Sequence, residues 1–121
     1  MGKKILMVED SPSVRQLMSF TLRGAGYEVV EANNGREALE KISHVAVDMV
    51  VTDLNMPHMD GKTLIRNLRN DPNNRFMPIV MLTTEDDENK RKEVRAAGAS
   101  AWISKPFKPN QLLNVVQMVL S

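Results

Sequence analysis

A chain of 121 residues is one domain's worth on length alone, and 42% apolar residues are enough to give it a core. The absence of cysteine excludes disulfides and thiolate metal sites, and a formal net charge of +1 gives no general reason to expect nucleic acid or membrane as partner. No apolar run approaches the ~20 residues that span a bilayer, and Met1–Lys4 leads straight into a strand, unlike a signal peptide, so a cytoplasmic protein is expected.

Ile5–Val8 is the first of five short apolar runs. Ser11–Pro12 then provides an N-cap and first-turn pair, and Gly24 with Gly26 closes the helix that follows. Val29–Val30 and its flanks form the second run. Asn34 with Glu37 has the spacing of a capping box ahead of Ala38, Leu39 and Ile42. After the third run, Met49–Thr52, Asp60–Gly61 opens a helix carrying Leu64, Ile65 and Leu68. Ile79–Leu82 is the fourth run, and Thr84 with Asp87 can cap a strongly charged helix extending through Arg95. Ala101–Ile103 is the fifth, and Pro109 starts a last helix that reaches the C-terminus.

The runs are rich in Val, Ile and Met and lack polar alternation, which predicts strands buried on both faces. Strand and helix alternate five times with short connections, so the expected class is α/β, a parallel sheet covered by helices on both sides. No linker, low-complexity tract or internal repeat interrupts it, and residues 1–121 are expected to form a single domain.

In such folds ligands sit beyond the carboxyl ends of the strands. The first strand delivers Glu9 and Asp10 there, the third Asp53, the fourth Thr83 and Thr84, and the fifth Ser104, Lys105 and Pro106. A lone Asp at a strand end is ordinarily a helix cap or a solvated loop residue. Carboxylates ending strands one and three, with a Lys-Pro after strand five, are harder to explain structurally. Two carboxylates ~4 Å apart repel by about 4 kcal/mol at an effective dielectric near 20, so either one stays protonated or a cation intervenes. Hard oxygen donors favour Mg²⁺, which tolerates few protein ligands plus water and a substrate phosphate. A carboxylate beside Mg²⁺ can act as a nucleophile and form an acyl phosphate. Lys105 and the metal would then neutralise the phosphoryl oxygens, and the Thr83 hydroxyl would donate a hydrogen bond.

Glu9–Asp10, Asp53 in DLNMPHMDG, Thr83 in MLTTE and Lys105–Pro106–Phe107 in WISKPF resemble, in order and placement, the receiver domains of two-component response regulators. The similarity covers essentially the whole chain. It implies a flavodoxin-like sheet of order 2-1-3-4-5 and a phosphoacceptor at Asp53, with a histidine kinase as donor. It also implies Mg²⁺, for which Mn²⁺ can substitute, held by Asp10, Asp53, Glu9 and the backbone carbonyl of Asn55. Many members carry two Asp at the first pair, where this chain has Glu9–Asp10. Lys105 would pair with the phosphoryl group, before a cis Lys105–Pro106 bond. Thr83 and the aromatic at Trp102 would form the activation switch, although Tyr, Phe or His is more usual at that position.

Asn55 and Glu85, placed two residues after Asp53 and Thr83, resemble the stand-alone CheY chemotaxis regulators, where these positions tune access of the hydrolytic water. That resemblance implies a short-lived phosphoryl group, a CheA-like kinase and the flagellar motor switch as target. It also allows a phosphatase and implies a monomer. Output would use the face of helix four, strand five and helix five. Helix four carries Lys90, Arg91, Lys92 and Arg95, which also suit a plain solvated face. On helix five, Leu112, Val116 and Val119 fit a core face, with Leu113 and Met118 nearer its border.

A phosphorelay shuttle, handing phosphate to a histidine phosphotransfer protein, is the alternative within signalling. A Mg²⁺-dependent aspartyl-phosphate hydrolase is the alternative of another class. It wants a second Asp where this chain has Asn55, so an enzyme is not expected. Flavin binding would need a Ser/Thr/Gly-rich phosphate loop in place of Glu9–Asp10. A pseudo-receiver scaffold would not need the full acidic, Thr and Lys set. His44, placed late in helix two, and His58, after Pro57, read best as solvated residues.

Overall fold

The structure is a computed structural model that describes residues 2–120 except 55, 57, 58 and 85–87, and for residues 88 and 90 the backbone alone. Its elements are β1 (Lys4–Val8), α1 (Pro12–Gly24), β2 (Glu28–Ala32), α2 (Gly35–Ile42), β3 (Met49–Asp53), α3 (Gly61–Asn70), a 3₁₀ turn (Pro72–Asn74), β4 (Ile79–Thr83), α4 (Glu88–Ala97), β5 (Ala101–Ser104) and α5 (Pro109–Leu120). All strand pairs are parallel and the order is β2-β1-β3-β4-β5, the flavodoxin-like arrangement. A parallel neighbour requires a crossover, and each crossover here is a helix laid on one sheet face.

Alternation along the strands divides the core in two. Leu6, Val8, Val50 and Met81 face Ala38, Leu64, Leu68 and Val94 on the side of α2, α3 and α4. Ile5, Met7, Val51 and Leu82 face Met18, Leu22, Leu112 and Val116 on the side of α1 and α5. β1, β3 and β4 are buried along almost their whole length, as the unbroken apolar runs predict.

β2 and β5 depart from that expectation. β2 runs from an exposed Glu28 through half-buried residues to Ala32, and only Ile103 of β5 is buried. They are the two edges of the sheet, and each has one neighbour where the central strands have two. His44 also moves: α2 ends at Ile42, leaving His44 exposed in the turn beyond it. On α5, Leu112 and Val116 are buried, Leu113 and Val119 half-buried, and Met118 exposed.

The caps explain the helix starts. The Ser11 hydroxyl accepts from the Val14 N–H (3.5 Å), Asn34 Oδ1 from the Glu37 N–H (2.9 Å) and Asp60 Oδ1 from the Thr63 N–H (2.8 Å). The capping box is half made, because the Glu37 carboxylate meets Asn33 Nδ2 (3.2 Å) and Lys41 (3.1 Å). Residue 87, expected to help cap α4, lies outside the described residues.

Partial burial pushes the Asp60 carboxyl up, but hydrogen bonds from Thr63 and the nearby Lys62 and Arg66 outweigh it and hold the group below its ordinary value of 3.8. Asp60→Ala is therefore expected to cost about 1 kcal/mol at neutral pH. A depressed folded-state pKa gives stability that is present above pH 3.8 and lost as pH falls below it. Urea unfolding of both proteins at pH 7 and pH 2.5 checks this, and equal midpoints at pH 7 would remove the cap from the account.

Candidate functional site

The carboxyl ends of β1, β3, β4 and β5 form one edge, and the chain leaves that edge along fixed paths. The Glu9 N–H donates to Ala32 O (3.1 Å), and Arg15 Nη1, one turn into α1, donates to Glu9 O (2.8 Å). Glu9 Oε1 accepts from the Ser11 N–H (3.2 Å), which fixes one oxygen of the carboxylate. The Leu54 N–H continues the ladder to Leu82 O (2.9 Å), and the Lys105 N–H donates to Thr83 O (2.8 Å) just before the cis Lys105–Pro106 bond.

These paths bring residues far apart in sequence together. Glu9, Asp10 and Asp53 each place a carboxylate oxygen within 4.8 Å of the others. Lys105 Nζ donates to Glu9 Oε2 (3.1 Å) and to Asp53 Oδ2 (3.0 Å). Glu9 and Asp53 are 1% and 6% exposed, whereas Asp10 is exposed at the mouth. Asp53 is thus a buried carboxylate beside an exposed one.

Burial, followed by the negative charge of Asp53, pushes the Glu9 carboxyl above its ordinary value, and the contacts from Lys105 and the Ser11 N–H only partly offset this. Burial alone would lower Lys105, but its hydrogen bonds to Asp53 and Glu9 dominate and hold its ammonium above the usual range. With all groups ionised, three carboxylates and one ammonium leave a net charge of −2 (−3 + 1). A small divalent cation cancels that charge, and all-oxygen donors suit Mg²⁺ or Mn²⁺ in preference to softer metals.

Thr83 is 3% exposed at the end of β4. In the register of β4 and β5, Thr83 lies opposite Ser104 and Met81 opposite Trp102. Trp102 is half-buried against the core on the α4 side. Asn55, His58 and Glu85 lie outside the described residues.

Two contributors to the site carry no obvious sign in the sequence. Arg15 reads as an ordinary surface residue of α1, yet it grips the Glu9 carbonyl and pairs with Glu31 (3.2 Å). Gly61 sits where a Cβ would come within 2.5 Å of Asp53 O and 2.9 Å of Met81 Sδ. Its Asp-Gly setting marks a helix start, but nothing local tells of that close approach.

Residues 5–117 match the family described as the response regulator receiver domain. Chemotaxis protein CheY1 of Helicobacter pylori is 38% identical over 119 residues, covering 97% of this chain and 96% of that protein. The alkaline phosphatase synthesis transcriptional regulatory protein PhoP of Bacillus subtilis is 35% identical over 120 residues, but the chain spans only 49% of its length. Among solved structures, the chemotaxis response regulator CheY4 of Vibrio cholerae superposes with a TM-score of 0.96 at 45% identity, covering 99% of this chain and 100% of that one.

Proposed function

This chain belongs to the response-regulator receiver family, and from that premise we propose that Asp53 accepts a phosphoryl group from a histidine kinase in a Mg²⁺-dependent reaction. The observation that carries the reading is the cluster of Glu9, Asp10 and Asp53 bridged by Lys105. No ordinary capping or packing role gathers three carboxylates this closely, two of them buried and sharing one ammonium.

A carboxylate oxygen of Asp53 attacks the phosphorus of the donor's phosphohistidine. A P–O bond forms, the P–N bond breaks, and the imidazole leaves with its electron pair and takes up a proton. Lys105, already 3.0 Å from Asp53 Oδ2, neutralises charge on the transferred group, and the Thr83 hydroxyl donates to one of its oxygens. Glu9, Asp10, Asp53 and the Asn55 carbonyl would hold the metal. Bound there, Mg²⁺ supplies charge neutralisation at the phosphoryl oxygens.

Residues 1–121 then act as one receiver domain that signals by changing its surface and is not an enzyme turning over a substrate. Thr83 and Trp102 form the switch, the face of α4, β5 and α5 is the output surface, and Asn55 and Glu85 set the lifetime of the acyl phosphate. Similarity to CheY1 and CheY4 over nearly their whole lengths supports a cytoplasmic chemotaxis role. The donor would be a CheA-like kinase and the target the flagellar motor switch.

The test is intact-protein mass after incubation with acetyl phosphate, with and without Mg²⁺. One added phosphoryl group that needs the metal is expected, decaying quickly once the donor is removed. A stable adduct would favour the phosphorelay shuttle. No adduct, together with no binding of beryllofluoride, would sink the receiver chemistry.

A further inference from the structure

Thr83 and Trp102 project from the same side of the sheet, one diagonal step apart across β4 and β5, toward the layer that contains α4. Two arginines one turn apart on α4 close over the indole. The guanidinium carbon of Arg91 lies 5.6 Å from the ring centroid and that of Arg95 4.9 Å from it. Cations at this distance over an indole are held by the ring quadrupole, and Trp gives the strongest such contact among the aromatic side chains.

We propose that Arg91 and Arg95 form a latch on α4 that holds Trp102 in its half-buried place against the α4-side core and sets the threshold for activation at Asp53. The proposal rests on the reading of Trp102 as the switch aromatic. The basic run of α4 thereby acquires a task besides solubility. Arg95 is exposed and Arg91 half-buried, so both contacts are only partly screened from solvent. In the latch, a ring that turns toward Thr83 gives up its contacts with the two guanidiniums. The inward population is lowered by what the two contacts are worth, and phosphorylation has to supply the difference. At partly exposed sites two such contacts amount to about tenfold in population.

Trp102 is the only tryptophan, so its emission reports the latch directly. The experiment is a beryllofluoride titration of the Mg²⁺-loaded protein, following Trp102 emission and acrylamide quenching. It compares the wild type with Arg91→Gln/Arg95→Gln and with Arg95→Gln alone. The latch predicts binding about tenfold tighter in the double variant and about threefold tighter in the single one. It also predicts an indole less open to quencher before any ligand is added. Loss of two positive charges by itself would weaken binding of an anion, so the direction separates the two effects. Unchanged or weaker binding, with emission still responsive, overturns the latch and leaves the switch standing. Emission unresponsive in all three proteins removes the switch, and the latch with it. A response confined to the variants would show a latch strong enough to hold the wild type off.

Discussion

Asp53→Asn is expected to abolish the Mg²⁺-dependent mass increase, with a fall of about three orders of magnitude or more in phosphorylation rate. The amide keeps the shape of the carboxylate but offers no anionic oxygen to attack phosphorus. The substitution also changes the charge of the cluster from −2 to −1, since one of its three carboxylates is removed while the Lys105 ammonium stays. In chelator the variant should therefore melt at a higher temperature than the wild type. Chemistry lost while stability rises is the signature of a group kept for reaction at a cost to folding. A variant phosphorylated at the wild-type rate would move the nucleophile elsewhere. One that unfolds earlier in chelator would mean that the bond from Lys105 outweighs the repulsion.

Lys105→Met acts in the opposite sense. It takes the Lys105 ammonium away from Glu9 and Asp53, which are 1% and 6% exposed. Removing one member of a buried charge group ordinarily costs about 3–5 kcal/mol. Lys105 retains some contact with solvent, so about 2–3 kcal/mol is expected at neutral pH in chelator. The deficit depends on pH. The Glu9 carboxyl already lies above its ordinary value of 4.5, and without the ammonium it rises further. An acid whose folded-state pKa is raised penalises folding as pH climbs through and beyond its unfolded value. The variant should therefore be close to wild type near pH 4 and fall progressively behind above pH 4.5. Urea midpoints in EDTA at pH 4.5 and 7.5 test this, and a gap of the same size at both would mean lost packing instead of uncompensated charge.

The architecture was legible because each strand is built on a short apolar run and each helix carries its start signal nearby. Exposure of β2 and β5 was not, since Val29–Val30 and Ala101–Ile103 resemble the central runs. Which strand becomes an edge depends on the order of pairing, and no local pattern encodes it. The acidic cluster was legible as a set of strand ends. Its internal bonding was not: Lys105 reaches Asp53 across 52 positions and Glu9 across 96. The arginines over Trp102 were hidden for a related reason. In sequence they belong to a solvated basic run, and only the rotation of α4 about its axis turns them toward the ring. Arg69 is similar. Its guanidinium donates to Gly98 O (2.7 Å from Nη2) and Asn74 O (2.9 Å from Nη1), tying α3 to the ends of two other segments that give no sign of needing it.

Gly61 adds a constraint of another kind. Every group with a part in the chemistry is present for its charge or its oxygen, whereas this position matters for an empty volume. The carbonyl of Asp53 comes so near that one methyl group would occupy the same space. Gly24, with nothing within 4 Å of a Cβ, looks equivalent in the sequence and carries no such demand. The two glycines therefore differ in what they tolerate, since a side chain at Gly24 meets open space and one at Gly61 meets the backbone beside it. A scaffold borrowed to carry different chemistry on the same strand ends could replace every charged group at the site and would still have to keep that void.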